Sequence, residues 1–276
     1  MLQREIPETR GGKSHSSQAT DNDRVKLLTL ARDLRRRKSR EKRSLFVAEG
    51  VRSVEELLRS GLSVRGALVA PQLVAAPRGQ ALRESLVASG IEVTEIDDRD
   101  FQSAAETDSP QGVLAIGEVP HRTLDTLDIG GGCRLILLDG VQDPGNAGTI
   151  VRTGQALGAT ATIALPGTVD LWNPKVIRSS MGAQFTHPVL HADAESVLEY
   201  LRREEIALWA AEAGGEPLPR AGAPSRLAIA VGNEGAGLSR TIRAGASRTV
   251  SLPTGRGVES LNVAVATGII LYELRG

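Results

Sequence analysis

The sequence predicts a two-domain α/β protein whose second half is built on a parallel sheet. Its 276 residues give room for about two domains of roughly 150 residues each. Apolar residues at 41% and charged residues at 24% match a folded globular composition. From residue 134 onward, short continuous apolar runs alternate with helical patterns, the mark of a parallel sheet covered on both faces.

Taken in order, residues 1–22 are polar and rich in Gly, Ser, Thr and Gln, and are expected to be a disordered leader. In residues 24–43, RVKLLTLARDLRRRKSREKR, Leu27, Leu28, Leu30 and Leu34 recur at near-helical spacing, so a helix with a basic continuation is expected. A helix follows over Ser53 to Ser60, with Val54, Leu57 and Leu58 on one face. Next come a strand at Val64 to Val69, a helix at Gln80 to Ser89 and a strand at Ile91 to Ile96. A short helix at Phe101 to Glu106 and a strand at Val113 to Ile116 complete residues 23–118 as one domain. Residues 119–132, VPHRTLDTLDIGGG, read as a linker. In the second domain, 133–276, RLILLDG is a buried strand and 146–157 a helix. ATIAL is a strand, Ala194 to Arg203 a helix, and IALWAA, RLAIAVG and TVSLP are strands. A long apolar helix over 261–274 ends the chain.

Composition removes several function classes. The single cysteine, Cys133, cannot build a disulfide framework or a Cys-rich zinc motif. The histidines His15, His121, His187 and His191 lack metal-binding spacing, so no metal is expected. The longest apolar region, Leu261 to Leu274, has 14 residues, short of the about 20 that cross a bilayer. The polar N-terminus lacks the apolar stretch of a secretory signal, which makes a cytoplasmic address the expectation.

Net charge is zero, but its distribution is uneven. Residues 24–43 hold ten Lys/Arg against Asp33 and Glu41, a local +8 balanced by −8 elsewhere. Such a patch is either a solvated helix face or the footprint of phosphate binding. On the second reading, Arg35, Arg36, Arg37, Lys38 and Arg40 are candidate RNA contacts. Aromatic residues are only 3% of the chain, which favours contact to phosphate and shape over base stacking.

Ligands of open α/β sheets sit beyond the carboxyl ends of the strands, which singles out three segments. The first, Asp139 to Ala159, carries Asn146, a candidate N-cap, Gly148, where another backbone or a ligand could approach, and Arg152, whose donors suit a phosphate or a paired carboxylate. The second, Val231-Gly-Asn-Glu234-Gly-Ala-Gly-Leu-Ser239, places a carboxylate among three glycines and is not a dinucleotide fingerprint. It is either a ligand loop or a turn capped by Ser239. The third, Ser251 to Ala266, brings Ser260 and Asn262 to the mouth of an apolar helix, as caps or as site residues.

Together, N-x-G-x-x-x-R, G-N-E-G-x-G and L-P…E-S-L-N-V-A-V-A resemble the signature motifs of the SpoU (TrmH-type) 2′-O-ribose methyltransferases, of the SPOUT superfamily. Phe46-Val-Ala-Glu49-Gly50-Val-Arg52 and Ser109-Pro110-Gln111-Gly112 resemble the ribosomal-protein-like substrate-binding module of the rRNA-directed members, which adds Arg52 to the RNA candidates. The resemblance implies a deep trefoil knot in the parallel-sheet domain, an exception to unthreaded topology, and a homodimer formed through it with each site drawing on both subunits. It implies S-adenosylmethionine as cofactor, lined by Gly232, Leu252 and Leu261 with Ala211 and Pro253 nearby. It makes Asn146, Arg152, Glu234, Ser260 and Asn262 the catalytic positions. Within it, Arg152 is either the general base or a charged clamp on the neighbouring phosphate.

The expected activity is therefore methylation of an RNA ribose 2′-hydroxyl, with large-subunit (23S) rRNA the first substrate. The N-terminal module, and a chain end at Gly276 without a basic C-terminal helix, weigh against tRNA. A tRNA methyltransferase and a catalytically silent RNA-binding assembly factor on the same fold are the alternatives, with a nucleotide-binding oxidoreductase a distant third.

Overall fold

The computed structural model describes residues 21–219, 222–255 and 260–274. Most of the expected leader, and the motif residue Glu259, lie outside the described residues.

The basic segment forms two helices where one was expected. α1 (Asp21–Asp33) buries Leu28 and Ala31 in the first domain's core, joined by Leu34 just past its end. The chain then turns through residues 34–36 into α2 (Arg37–Arg43), whose end is set by Ser44 at φ 52°. β1 (Leu45–Glu49), α3 (Val51–Ser60), β2 (Val64–Val69), α4 (Pro77–Ala88), β3 (Val93–Glu95), α5 (Asp98–Ala104) and β4 (Val113–Glu118) follow. They form a four-stranded mixed sheet of order β1-β4-β2-β3, in which only β2 and β3 are parallel neighbours. Residues 119–132 hold one 3₁₀ turn, Leu124–Thr126.

The second half contains β5 (Cys133–Asp139), α6 (Pro144–Ala156), β6 (Ala161–Ala164), α7 (Pro174–Ser179), β7 (Val189–His191), α8 (Ala194–Arg203), β8 (Ala207–Pro217), β9 (Arg226–Gly232), α9 (Arg240–Gly245), β10 (Arg248–Ser251) and α10 (Val263–Glu273). Every strand pair in its six-stranded sheet, order β10-β8-β9-β5-β6-β7, is parallel. β5 and β9 are adjacent central strands, buried on both faces, which explains their uninterrupted apolar sequences. Four short elements were not legible in advance, β1, α7, β7 and α9. At five, six, three and six residues they are too brief to show a period.

One apolar core joins the two sheets. Phe46 of β1 stacks on Trp172 at a centroid distance of 4.7 Å and on Phe185 at 5.4 Å. Beside this stack lies Arg40, expected among the RNA contacts but only 3% exposed. Its Nε donates to Asp170 Oδ2 at 2.7 Å, and Nη1 donates to the carbonyls of Leu34 and Arg35 at 2.8 and 2.9 Å. The break between α1 and α2 turns this arginine inward, and a buried guanidinium is tolerated only when its donors are paired in this way. Arg40 is therefore a contact between the two halves of the chain and is withheld from solvent.

Candidate active site

The site begins with a helix start. α6 opens on Pro144, and its N-cap is Asp143, whose Oδ1 accepts from the Asn146 amide at 2.7 Å. Asn146 was expected to cap this helix; the Asp-Pro pair takes that task, and the Asn146 carboxamide is left free for tertiary contacts. Gly148, one turn in, has no room for a side chain. A Cβ there would lie 2.6 Å from the Val176 carbonyl oxygen and 2.8 Å from the Ser180 nitrogen, so α7 is the backbone that approaches.

The loop after β9 is folded on itself. Asn233 and Gly237 exchange both backbone hydrogen bonds, at 3.1 and 2.9 Å. Asn233 Oδ1 accepts from the amides of Gly235 and Ala236, while its Nδ2 donates to the Gly140 carbonyl at 3.0 Å. Gly232 makes this closure possible: a Cβ there would fall 2.4 Å from the Gly237 carbonyl carbon. Asp139 Oδ2 accepts from the Ser239 amide at 2.6 Å, and Ser239 caps α9 as expected of a turn residue. The closed loop presents Glu234 outward.

The third segment enters α10. Asn262 is the N-cap, its Oδ1 accepting from Ala264 and Val265 amides at 3.0 and 3.3 Å. An amide cap keeps a donor that an aspartate cap lacks. That Nδ2 donates to Asn146 Oδ1 at 3.0 Å, and Asn146 Nδ2 in turn donates to Glu234 Oε1. Three separated loops thus close into one directed chain, Asn262 to Asn146 to Glu234, ending on a carboxylate with lone pairs to spare.

Beside the chain is a cavity of about 770 Å³ at the carboxyl ends of β9 and β10 and the middle of β8. Ala211, Gly232, Leu252 and Leu261 line it, as do Glu234 and Ser260; Pro253 is not among its lining residues. The size is that of a site for a small-molecule cofactor. Sequence reasoning missed two charged lining residues, Glu212 and Arg243. Arg243 Nη2 lies 2.7 Å from Glu212 Oε1, and the bond from Arg243, outweighing burial, holds the Glu212 carboxyl below its ordinary range. Neither stands in a recognisable spacing, so only their meeting in space reveals them.

Arg152 is not drawn into this network. It lies on α6 beyond Asn146, is exposed, and bonds to none of the described residues. The neighbouring groove is formed by Thr149 and Thr153 of α6 against Val265, Ile269 and Tyr272 of α10. These three apolar residues are 52%, 39% and 51% exposed, a stripe on a helix whose opposite face, Val263, Ala264, Thr267, Ile270 and Leu271, is buried. Of the basic residues expected to meet RNA, Arg35 pairs with Glu106 and Arg37 with Glu41. Arg36, Lys38 and Arg52 are exposed and pair with none of the described residues.

Comparison with known proteins agrees with this arrangement. The SpoU rRNA Methylase family matches residues 134–272, and the MRM3-like substrate binding domain matches residues 22–115. The chain is 33% identical to the 23S rRNA (guanosine(2553)-2′-O)-methyltransferase RlmP of Bacillus subtilis over 88% of its own length and 93% of that protein's. Among solved structures, an AdoMet-bound rRNA methyltransferase from Sinorhizobium meliloti superposes with a TM-score of 0.78 at 29% identity, covering 90% of this chain and 93% of that one. The SpoU methyltransferase AviRb from Streptomyces viridochromogenes, in complex with AdoMet, superposes with a TM-score of 0.80 at 26% identity, covering 90% and 96%. With that family matched over residues 134–272 and a substrate-binding domain matched ahead of it, the chain belongs to the SpoU rRNA methylase family.

Proposed function

We propose that the chain methylates a ribose 2′-hydroxyl in 23S rRNA, using S-adenosylmethionine, as a cytoplasmic homodimer. The observation that carries this reading is the directed chain from Asn262 through Asn146 to Glu234 at the edge of the cavity. S-adenosylmethionine supplies an electrophilic methyl group when bound. Gly232, Leu252, Leu261 and Ala211 would hold it, with Pro253 at their margin. The protein's part is to hold the hydroxyl oxygen about 3 Å from that methyl and to accept its proton. Glu234 has a free carboxylate oxygen for that proton, and Asn146 holds the other. Ser260, beside Asn262 on the cavity wall, orients the ribose.

Arg152 acts as a clamp. Its exposed guanidinium has no carboxylate partner among the described residues and is available for the phosphate next to the target ribose. Its place beside the apolar stripe of α10 supports the dimer reading. A second copy seated on Val265, Ile269 and Tyr272 would cover the stripe and bring Arg152 into a composite site. The threaded C-terminal chain implied by the family motifs belongs to the same reading. Arg36, Lys38 and Arg52 supply exposed charge for RNA.

The test is transfer of labelled methyl from S-adenosylmethionine to 23S rRNA, 16S rRNA and tRNA, followed by mapping of the ribose methyl. Labelling of 23S rRNA alone is expected. Labelling of tRNA alone would move the substrate, and cofactor binding without transfer to any RNA would favour the silent assembly factor.

A further inference from the structure

The Arg40–Asp170 pair lies across the two halves of the chain, and the segment bearing Asp170 leads into the active site. Asp170 is 7% exposed and Arg40 3%. Besides Arg40, the Asp170 carboxylate receives the Trp172 amide at 2.9 Å, and His191 Nε2 lies 3.8 Å away. Two and one residues before Asp170, the chain is clamped to the end of β5. Thr168 Oγ1 donates to the Leu138 carbonyl at 2.7 Å and accepts from the Gly140 amide at 3.0 Å, and the Val169 amide donates to the Val141 carbonyl at 3.0 Å. Gly140 is the residue whose carbonyl receives Asn233, and Asn233 organises the loop that presents Glu234. Hydrogen bonds joined by two short stretches of backbone, 168–170 and 233–234, therefore connect Arg40 of the first half to the loop that bears Glu234.

We infer that Arg40 is a positioning residue for methyl transfer: through Asp170 it fixes the substrate-binding domain to the 168–170 segment and so sets where docked RNA meets Glu234. The inference rests on the methyltransferase reading given above. Its physical basis is that Arg40 uses all three guanidinium nitrogens on fixed acceptors, two of them the carbonyls at the end of α1. A lysine, with a point charge on a flexible stem, cannot reproduce that fork. Small misplacement of a reacting group lowers the rate steeply while leaving binding contacts in place.

The experiment compares the full-length protein with R40K and with the double variant R40M/D170L, which removes both charges together and avoids a stranded buried ion. The expected result is a fall in kcat of about tenfold or more at saturating RNA. The KM for RNA and the Kd for S-adenosylmethionine should stay within about twofold. Hydrogen exchange, read without any turnover, should quicken at the Gly140 and Val169 amides. Wild-type kcat in R40M/D170L at a temperature well below its Tm, with unchanged exchange at those amides, would overturn the inference. A wild-type protein inactive on every RNA would sink the methyltransferase reading, and the exchange arm would still decide whether Arg40 orders the segment.

Discussion

Asn262 donates its side-chain Nδ2–H to Oδ1 of Asn146 at 3.0 Å, across 116 residues of sequence. The same Asn262 caps α10 through Oδ1, so one side chain both starts a helix and anchors the neighbouring loop. An aspartate in its place would keep the cap but lose the donor. N262D is therefore expected to leave Tm almost unchanged, since Asp and Asn cap equally well, while methylation falls about 10²-fold or more. Equal losses of Tm and activity would assign Asn262 to the fold alone.

Arg152 offers the cleanest separation of binding from turnover. R152A is expected to abolish methylation and leave S-adenosylmethionine affinity within about twofold by calorimetry, because the side chain is outside the cavity lining. Parallel loss of both would give Arg152 a structural task.

Gly232 closes the loop beneath Glu234, with no space for a Cβ. G232A is expected to cost about 1–3 kcal/mol through overpacking and to weaken cofactor binding more than any side-chain change at Leu252. Denaturant unfolding and a cofactor titration measure the two effects.

His187 carries a pH signature. Burial, aided by nearby Arg122, pushes its pKa down to about 4, so the imidazole is held neutral with Thr162 Oγ1 at 2.9 Å. The unfolded chain takes up the proton first, near pH 6.5. Stability from this group is complete above that value and is lost progressively as pH falls toward 4, by roughly 3 kcal/mol. Asp170 acts lower. Burial would raise its pKa, but His191, Arg40 and the Trp172 amide outweigh it and bring it to about 2, so its contribution is lost only below the ordinary carboxylate range. H187Q should flatten the stability profile between pH 6.5 and 4 and leave the more acidic limb in place, as read by urea unfolding.

RNA docking is best probed on the surface. Removing residues 1–45 would take away Leu28, Ala31 and Leu34, which are buried in the first domain's core, so a deletion confounds binding with folding. R36E/K38E leaves the core intact. It is expected to weaken rRNA binding and reduce its salt dependence, with Tm unchanged; undiminished binding would place the RNA elsewhere.

Much of the site was legible because its loops carry residues that ordinary turns do not need. A glutamate among glycines at Glu234 and an asparagine at a helix mouth at Asn262 each stood out locally. What could not be read was how their hydrogen bonds are shared. Asn146 satisfied the description of an N-cap as well as Asp143 does, and only the helix start at Pro144 separates them. Glu212 and Arg243 form a cavity-lining pair 31 residues apart that no local pattern announces.

By itself, the sequence determined the parallel sheet, the change of pattern between the two halves of the chain, and the three loops joined through Asn146, Glu234 and Asn262. These follow from periodicity, strand-end chemistry and glycine placement, all of which act over a few neighbouring residues. Tertiary structure decided which of several similar arginines faces solvent and which is a buried strut. Arg36, Lys38 and Arg40 belong to one basic run, yet Arg40 alone meets Asp170, 130 residues away, where burial demands a paired charge. That demand arises from the packing of one half against the other, which no short stretch of chain encodes.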